Sequence, residues 1–423
     1  MNRTVKAGVK SGSVRIPASK SWAHRLLITA AFNNKSTELI CDGISDDIEA
    51  TINCLSALGA RIILKDHRIC VTPIDRDIDL SKETAHLYCK ESGSTLRFLL
   101  PVVGAVGAKT VFHMEGRLKD RPLDDLINEL GRKGMSVRKE GNLLYTEGRI
   151  LPGEYSISGN ISSQFISGFL MALPLLNEES HLTVTGQIQS ARYIDITLNA
   201  LCEGNADIRR DGNSFLIKGI ENYDLKSEVT VESDWSSAAF FLSMGALSNK
   251  GICVKGMNIA SIQGDKAILD VLKRFGADIS ITEDEIYVKK GSLSGIETDA
   301  SEIPDLVPVI SAVAALAEGR TRIYNAGRLR FKESDRLASV AAMIKAAGGE
   351  VTETEDGLII EGKDRIKGGI VDSCKDHRIA MSGAVLAFGC REDVVILDSE
   401  CTDKSFVNFW ELLDSLELQE ISE

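Results

Sequence analysis

Cations stand among serines and acids at several predicted helix starts. The segment "KESDR" (332–336) precedes an alanine-rich run and places Lys332, Glu333, Asp335 and Arg336 within five residues. A helix N-terminus attracts phosphate or carboxylate, and a cation placed there without an anion is disfavoured by about 0.3–1 kcal/mol. A charge-assisted hydrogen bond contributes about 1.5–3 kcal/mol, so a bound anion would outweigh that cost. Taken alone, the segment fits a solvated helix cap as well as it fits an anion site.

Similar residues recur at seven other predicted helix starts. They are "SKSWAHR" (19–25), "SGSTLR" (92–97), "KDRP" (119–122), "SSQ" (162–164), "SARY" (190–193), "DHR" (376–378) and "TDKS" (402–405). A single serine at a helix start is usually only an N-cap. We call a predicted helix start that carries such residues a decorated helix start. Eight decorated helix starts in one chain favour cations that converge on an anionic ligand.

Acids among these cations are candidates for proton transfer. Asp305 follows Pro304 at the start of an apolar helix, where a plain dipole-favoured cap is the alternative. Glu333 is the second candidate. His377 could relay a proton or serve as a hydrogen-bonded structural residue. Asp335 is interpreted as a structural residue that could orient Arg336.

The elements that would position these residues form a repeat. Five helix-like segments end at Gly59, Gly134, Gly204, Gly276 and Gly348, at intervals of 75, 70, 72 and 72 residues. Each glycine fits a helix C-cap with positive φ. Alternating apolar and polar residues around a turn follow each one and predict a β-hairpin. A second helix series is interleaved with the first. The sequence therefore predicts an α/β (α+β) protein of six repeat units.

Six units divide into two domains of three. The first domain is predicted to span 20–230, and the second comprises 1–19 plus 231–423. The last unit lacks a hairpin after its final helix, so the N-terminal segment is expected to complete the sheets of the second domain. The two chain crossings, near 18–20 and near 230, are expected to act as hinges.

Composition limits the classes of partner. A net charge of −12 over 423 residues argues against a global surface for nucleic acid. The longest strongly apolar stretch, 306–317, is too short to span a bilayer, and no secretory signal is visible. Nine cysteines without a CxxC pair indicate reduced thiols and a cytoplasmic location. No spacing resembles a metal site, and we expect a monomer.

Several motifs together resemble the 5-enolpyruvylshikimate-3-phosphate synthase family. They cover nearly the whole chain, in the order typical of the family: "SKSWAHR", "SGSTLRFL", "LKDRPLDDL", "SSQFISGFLMALPL", "YIDITL", "ESDWSSAAFFL", "QGD", "IPDLVPV", "FKESDRL", "DHRIAMS" and "CTDKSF". The resemblance implies two domains, each of three βαββαβ units, with a ligand cleft between them. It also implies transfer of the enolpyruvyl group of phosphoenolpyruvate (PEP) to the 5-hydroxyl of shikimate 3-phosphate, with no metal or organic cofactor.

The resemblance assigns roles by motif. Shikimate 3-phosphate would be held by Lys20, Ser21, Arg25, Ser162, Ser163, Gln164, Ser190, Tyr193, Asp305 and Lys332. PEP would be held by Lys20, Gly93, Arg121, Gln164, Glu333, Arg336, His377, Arg378 and Lys404. Asp305 would be the base for the 5-hydroxyl. Glu333, with Lys20 close by, would handle the proton at the methylene carbon of PEP. Gly93 in the PEP loop implies an enzyme sensitive to glyphosate.

Two alternatives remain at this stage. The sister enolpyruvyl transferase that acts on UDP-N-acetylglucosamine shares the fold, but it uses a Cys before an Arg-Pro, and "HMEGRLKDRP" contains no Cys. A solenoid-like binding scaffold would show randomly decorated helix starts without acids among the cations. The first alternative predicts phosphate release that depends on UDP-N-acetylglucosamine, and the second predicts no release.

Overall fold

The computed structural model describes residues 1–283 and 285–418. Asp284 and residues 419–423, which belong to the second predicted domain, lie outside the described part. The chain forms two compact units. The N-unit is Ala18–Glu232, and the C-unit combines Met1–Pro17 with Ser233–Glu423.

The N-unit contains six α-helices and twelve strands among the described residues. The helices are α1 (Lys20–Ala31), α2 (Asp46–Ala57), α3 (Gly93–Val106), α4 (Asp124–Arg132), α5 (Ser163–Ala172) and α6 (Ala191–Glu203). Three four-stranded sheets are built from β3 (Thr37–Ile40), β4 (Arg61–Lys65), β5 (Arg68–Thr72), β6 (Ala85–Tyr88), β7 (Thr110–His113), β8 (Ser136–Glu140), β9 (Leu143–Glu147), β10 (Gly153–Ser158), β11 (Ser180–Thr185), β12 (Ile208–Asp211), β13 (Ser214–Ile217) and, from the end of the unit, β14 (Glu228–Thr230). Short 3-10 helices span Gly116–Asp120 and Leu173–Leu176.

The C-unit repeats this plan. Its helices are α7 (Trp235–Leu247), α8 (Ile268–Phe275), α9 (Val307–Ala314), α10 (Arg336–Ala346), α11 (His377–Leu386) and α12 (Phe409–Asp414). Its strands are β1 (Arg3–Val5), β2 (Lys10–Arg15), β15 (Ile252–Lys255), β16 (Asp278–Ile281), β17 (Glu285–Lys289), β18 (Glu297–Asp299), β19 (Gly319–Tyr324), β20 (Glu350–Glu353), β21 (Leu358–Gly362), β22 (Gly369–Asp372), β23 (Val394–Leu397) and β24 (Glu417–Leu418). Its 3-10 helices span Gly264–Ala267, Pro304–Leu306, Gly327–Phe331, Ala387–Gly389 and Ser399–Lys404.

The four-stranded sheets share one topology, and the five-stranded sheet β16-β17-β15-β2-β24 adds β24 to it. In the sheet β6-β7-β9-β8, the edge strand β6 runs parallel to β7, and the hairpin β8–β9 pairs antiparallel with it. The helix after the edge strand is buried around its circumference, as in α7, where only Ser236 is not fully buried. A helix that is apolar on all sides belongs in a core, whereas the second helix of a repeat, such as α4, is amphipathic and covers the sheet. The buried helices therefore begin directly after parallel edge strands.

The N-terminal strands pair within the C-unit. Strand β2 lies between β15 and β24, and Val14 on β2 is buried. Strand β1 pairs antiparallel with β23 in the three-stranded sheet β1-β23-β22, which contains no further hairpin. Strand β14 in turn completes the first sheet of the N-unit by pairing with β3. The chain thus contributes strands to the C-unit before it enters the N-unit.

One predicted helix C-cap is wrong. Gly59, Gly134, Gly276 and Gly348 have positive φ, but Gly204 has φ −84°, and Asn205 adopts the left-handed conformation instead. A Cβ at Gly204 would lie 2.6 Å from Cγ2 of Thr29. The glycine is therefore required by close packing and not by backbone conformation.

Three of the decorated helix starts are also wrong in detail. In "KESDR" the helix begins only at Arg336, and Asp335 is its N-cap, accepting a hydrogen bond from the backbone N–H of Ala338. Arg121 directly follows a 3-10 helix, and two residues separate it from α4. Lys404 ends a 3-10 helix and does not begin an α-helix. These cations are held by turns, whose start the sequence pattern does not distinguish from a helix start.

Candidate active site

Arg25 on α1 is a buried cation of the N-unit. Its guanidinium donates to Oγ1 of Thr197 at 2.6 Å and to the carbonyl oxygens of Ser21 and Tyr193, at 2.6 and 3.0 Å. It also lies over the ring of Phe98. In the described part of the chain no carboxylate pairs with Arg25, and burial lowers the pKa of its guanidinium to about 9. A buried cation held by neutral groups is suited to an anionic ligand.

Lys20, at the first position of α1, contacts a carboxylate of the next helix. Its Nζ lies 2.9 Å from Oδ2 of Asp47, which is in the first turn of α2 and almost completely buried. The side chain of Lys20 retains 17% exposure, so its ammonium also reaches the surface of the unit. Asp47 therefore positions Lys20 without enclosing it.

Gly93, Arg121 and Gln164 come together in the N-unit. A Cβ at Gly93 would lie 2.8 Å from Nη1 of Arg121 and 3.6 Å from Oε1 of Gln164. The amide of Gln164 is fixed from both sides, because Arg97 donates to its oxygen and its nitrogen donates to Oγ of Ser94, each at 2.9 Å. The absence of a side chain at position 93 leaves room for the guanidinium of Arg121.

The serines at α5 and α6 have different local roles. Ser162 is the N-cap of α5 and accepts from the backbone N–H of Gln164, while Ser163 is the buried first residue of that helix. Ser190 precedes α6 with φ 54°, a left-handed conformation that is uncommon for serine. Tyr193 contributes its carbonyl oxygen to Arg25. Strained backbone at a polar residue often marks a functional position.

Arg336 forms the centre of an ion cluster in the C-unit. Its guanidinium pairs with Asp305, Glu333 and Asp376 at 2.8, 2.7 and 2.8 Å, and its side chain is 2% exposed. Burial opposes the charge, but these carboxylates raise its pKa above the ordinary value, with Asp376 contributing most. Asp376 also caps α11 and is completely buried. Asp376, and not Asp335, therefore orients Arg336, while Asp335 pairs with Arg330.

Asp305 is surrounded by cations. Oδ1 lies 2.8 Å from Arg336 and 3.3 Å from Nζ of Lys332, and Oδ2 lies 3.2 Å from Arg378. Burial would raise the pKa of this carboxyl, but Arg378, Lys332 and Arg336 together hold it well below its usual range. Burial lowers the pKa of Lys332, and Asp305 opposes that shift. Asp305 is therefore ionised at neutral pH and is a weak base while these cations surround it.

The remaining predicted residues lie in the same unit. Glu333 belongs to the loop before α10 and contacts Arg336. His377 and Arg378 begin α11, and Nδ1 of His377 lies 3.8 Å from Oδ1 of Asp376. Lys404 is buried at the end of its 3-10 helix. The predicted residues are thus divided between the N-unit and the C-unit.

Sequence reasoning missed the residues that hold these side chains. Asp47, Arg97 and Asp376 position Lys20, Gln164 and Arg336, respectively. Asp47 looks like an ordinary acid at a helix start. Arg97 and Asp376 lie within the motifs "SGSTLR" and "DHR", but the sequence pattern does not assign them a positioning role. Among the described residues no three His, Cys, Asp or Glu side chains form a group that could hold a metal, and no helix is long and apolar enough to cross a membrane.

Comparison with known proteins identifies relatives that match nearly the whole chain. The sequence model of the EPSP synthase (3-phosphoshikimate 1-carboxyvinyltransferase) family matches residues 6–413. A 3-phosphoshikimate 1-carboxyvinyltransferase from Clostridium acetobutylicum is 44% identical over 410 residues, covering 96% of this chain and 95% of the relative. One from Clostridium beijerinckii is 41% identical over 420 residues, covering 97% and 96%.

Solved structures show the same fold. The EPSP synthase of Acinetobacter baumannii superposes with a TM-score of 0.82 at 26% identity, covering 99% of this chain and 98% of that chain. The fold is that of the enolpyruvyl transferases, and the UDP-N-acetylglucosamine alternative is not favoured. The chain belongs to the EPSP synthase family.

Proposed function

We propose that the two groups of side chains described above bind the substrates of a 3-phosphoshikimate 1-carboxyvinyltransferase and move its protons. The chain transfers the enolpyruvyl group of PEP to the 5-hydroxyl of shikimate 3-phosphate and releases phosphate, as the family and its relatives indicate. The observation that carries the assignment of roles is that the carboxylate of Asp305 contacts Lys332, Arg336 and Arg378.

Shikimate 3-phosphate is assigned to Arg25 and its neighbours. Arg25 supplies a positive charge, and no carboxylate in the described part of the N-unit pairs with it. The starts of α1, α5 and α6 add N–H groups and hydroxyls, from Ser21, Ser162, Ser163, Gln164, Ser190 and Tyr193, with Lys20, Lys332 and Asp305 completing the set. Buried Arg with hydroxyl neighbours matches the geometry of a phosphate monoester.

PEP is assigned to the remaining cations. Arg121 lies against Gly93 and near Gln164 in the N-unit. Arg336, Arg378 and Lys404 in the C-unit, with Glu333, His377 and Lys20, complete the set. PEP carries a phosphate and a carboxylate, so several cations are needed to bind it. The space at Gly93 supports the further proposal that glyphosate competes with PEP.

The carboxylate partners of Arg336 suggest how binding is coupled to chemistry. Asp305 and Glu333 pair with Arg336 and stabilise its charge. An anionic group of PEP that binds Arg336 would replace these carboxylates as its partners. Asp305 would then lose part of its stabilising charge, and its pKa would rise toward that of a useful base.

The proposed reaction proceeds by addition and elimination. Glu333 or Lys20 delivers a proton to C3 of PEP, and C2 becomes electrophilic. Asp305 accepts the proton of the 5-hydroxyl as its oxygen bonds to C2, which gives a tetrahedral intermediate. Loss of a proton from C3 with departure of phosphate restores the double bond. Positioning of both reactants can contribute about 7–11 kcal/mol to such a reaction.

Phosphate release from PEP tests this assignment. We expect release only when shikimate 3-phosphate is present, and loss of release in Asp305→Asn. Release that required UDP-N-acetylglucosamine would contradict the acceptor, and release by Asp305→Asn at the wild-type rate would contradict the role of the base.

We also propose that the enzyme works as a monomer in the cytoplasm. Cys41, Cys54, Cys89 and Cys390 are buried free thiols, and burial raises the pKa of Cys41 to about 12. Buried protonated thiols are inert and suit a reducing compartment. Sedimentation equilibrium would test the monomer, and a dimer at micromolar concentration would contradict it.

A further inference from the structure

Two histidines converge on the outer face of one N-unit sheet. His86 is on β6 and His113 is on the parallel neighbour β7, and Nδ1 of His86 lies 2.9 Å from Nε2 of His113. His86 is exposed and His113 is partly exposed. Tyr88, the register partner of His113, stacks on its ring with a centroid separation of 4.2 Å. The pair takes no part in the proposed reaction.

This arrangement differs from that of two other exposed histidines. His67 and His181 each face a carboxylate, Asp42 at 2.9 Å and Glu154 at 3.4 Å. His86 and His113 face each other, so only one of the two opposed nitrogens can carry the proton between them.

We propose that His86 and His113 form a surface site for a divalent cation that prefers imidazole, such as Ni²⁺, Cu²⁺ or Zn²⁺. Two imidazole nitrogens on one tetrahedral Zn²⁺ at about 2.0–2.1 Å would be about 3.3 Å apart, so the rings need to separate by less than about 0.5 Å. No third protein ligand of the described residues joins them, and water would complete the coordination. Oxygen-preferring Mg²⁺ would not bind there.

The bound cation would join the two strands that precede Gly93 and Arg121, which we assign to PEP binding. Strand β6 leads to Gly93, and β7 leads through the 3-10 helix to Arg121. Backbone hydrogen bonds already join these segments, from Cys89 N–H to the carbonyl of His113 at 3.0 Å and from Glu115 N–H to that of Lys90 at 2.8 Å. A cation held by one ligand from each strand would reinforce this junction.

Calorimetric titration of the reduced full-length protein with Ni²⁺ tests the proposal. Cys202 and Cys374 are exposed thiols, so both are first replaced by serine to remove competing ligands. We expect one Ni²⁺ per chain and an unfolding midpoint that rises with Ni²⁺ concentration, because the cation binds the folded state. His86→Ala and His113→Ala should each abolish both effects and retain the metal-free unfolding midpoint.

Matched variants make the result specific. His67→Ala and His181→Ala remove exposed histidines of the same unit and should leave Ni²⁺ binding unchanged. Mg²⁺ should neither bind nor shift the midpoint. Equal Ni²⁺ affinity in the parent and in His86→Ala, or no binding by the parent, would overturn the site.

Discussion

Arg336 and Lys332 share one oxygen of Asp305. Nη1 of Arg336 lies 2.8 Å from Oδ1 of Asp305, and Nζ of Lys332 lies 3.3 Å from the same atom. A carboxylate bound in this way is a poor base, because both cations stabilise its ionised form. We therefore expect Asp305 to become an effective base only when another anion binds these two cations in its place.

The pKa of Asp305 should rise when PEP binds. In the free protein the neighbouring cations hold this pKa well below its usual range, so the ionised group stabilises the fold above about pH 4, the ordinary range of Asp, and less as pH falls through the lowered pKa. PEP at Arg336 and Arg378 should weaken that stabilisation. Carbon-13 NMR of labelled Asp carboxyls, assigned by comparison with Asp305→Asn, should show a higher titration midpoint with PEP than without it. An unchanged or lower midpoint would argue against the coupling.

Asp305→Asn should lower kcat by about 10²–10⁴-fold, the range for loss of a positioned general base. The matched control is Asp335→Asn, because Asp335 caps α10 and asparagine is an equally good N-cap. The control should retain kcat within about threefold. Phosphate release at saturating substrate concentrations gives kcat for both variants. Equal losses of kcat in the two variants would show that the effect comes from disturbed folding and not from loss of the base.

Glu333→Gln should identify the group that protonates C3 of PEP. If Glu333 is the acid, kcat should fall by about 10²–10⁴-fold, and the pH–rate profile should lose the limb that this group causes. The amide still reaches Arg336, so PEP binding should be largely retained. A profile with the wild-type shape and a small change in kcat would point to Lys20.

Arg25→Met should weaken shikimate 3-phosphate binding while sparing stability. Loss of a charge-assisted contact of about 1.5–3 kcal/mol corresponds to about 10–150-fold in affinity. Burial disfavours this cation and no carboxylate in the described part of the chain offsets the cost, so an apolar replacement should leave the free energy of unfolding unchanged or higher. Isothermal titration and urea unfolding measure the two effects.

The control for Arg25 is Arg192→Met, an exposed cation at the start of α6. This variant should change neither the affinity for shikimate 3-phosphate nor the free energy of unfolding. A large loss of stability in Arg25→Met, with affinity unchanged, would make Arg25 a structural residue.

Gly93→Ala should raise KM for PEP by about 10–100-fold through displacement of the Arg121 guanidinium. The new Cβ would lie 2.8 Å from Nη1 of Arg121, and the long side chain can move away at little cost to the fold. Gly131→Ala is the matched control, since no atom lies within 4 Å of its Cβ position on α4. Steady-state kinetics at varied PEP concentration should show a raised KM for Gly93→Ala and an unchanged KM for Gly131→Ala. A wild-type KM in Gly93→Ala would exclude a steric role for position 93 in PEP binding.

The six-unit repeat can be predicted from the sequence because the patterns that indicate it are local. Glycine C-caps such as Gly59 and Gly276, and the alternating hairpins after them, depend on backbone conformation and on burial of one sheet face. Gly204 is the exception: its requirement comes from Thr29, far away in sequence, and the periodic spacing alone could not show it. The helix starts at Arg121 and Lys404 were misplaced because 3-10 turns use the same residue types.

The sequence by itself determined the α/β repeat, the family and the residue types that we propose bind the substrates, because each of these follows from short motifs with regular spacing. Only the tertiary structure decided which groups hold those residues. Asp376 joins Arg336 across 40 positions, and Arg97 fixes Gln164 across 67. Such contacts form when helices pack in a core, and their energies depend on distance and burial, which a linear pattern does not specify.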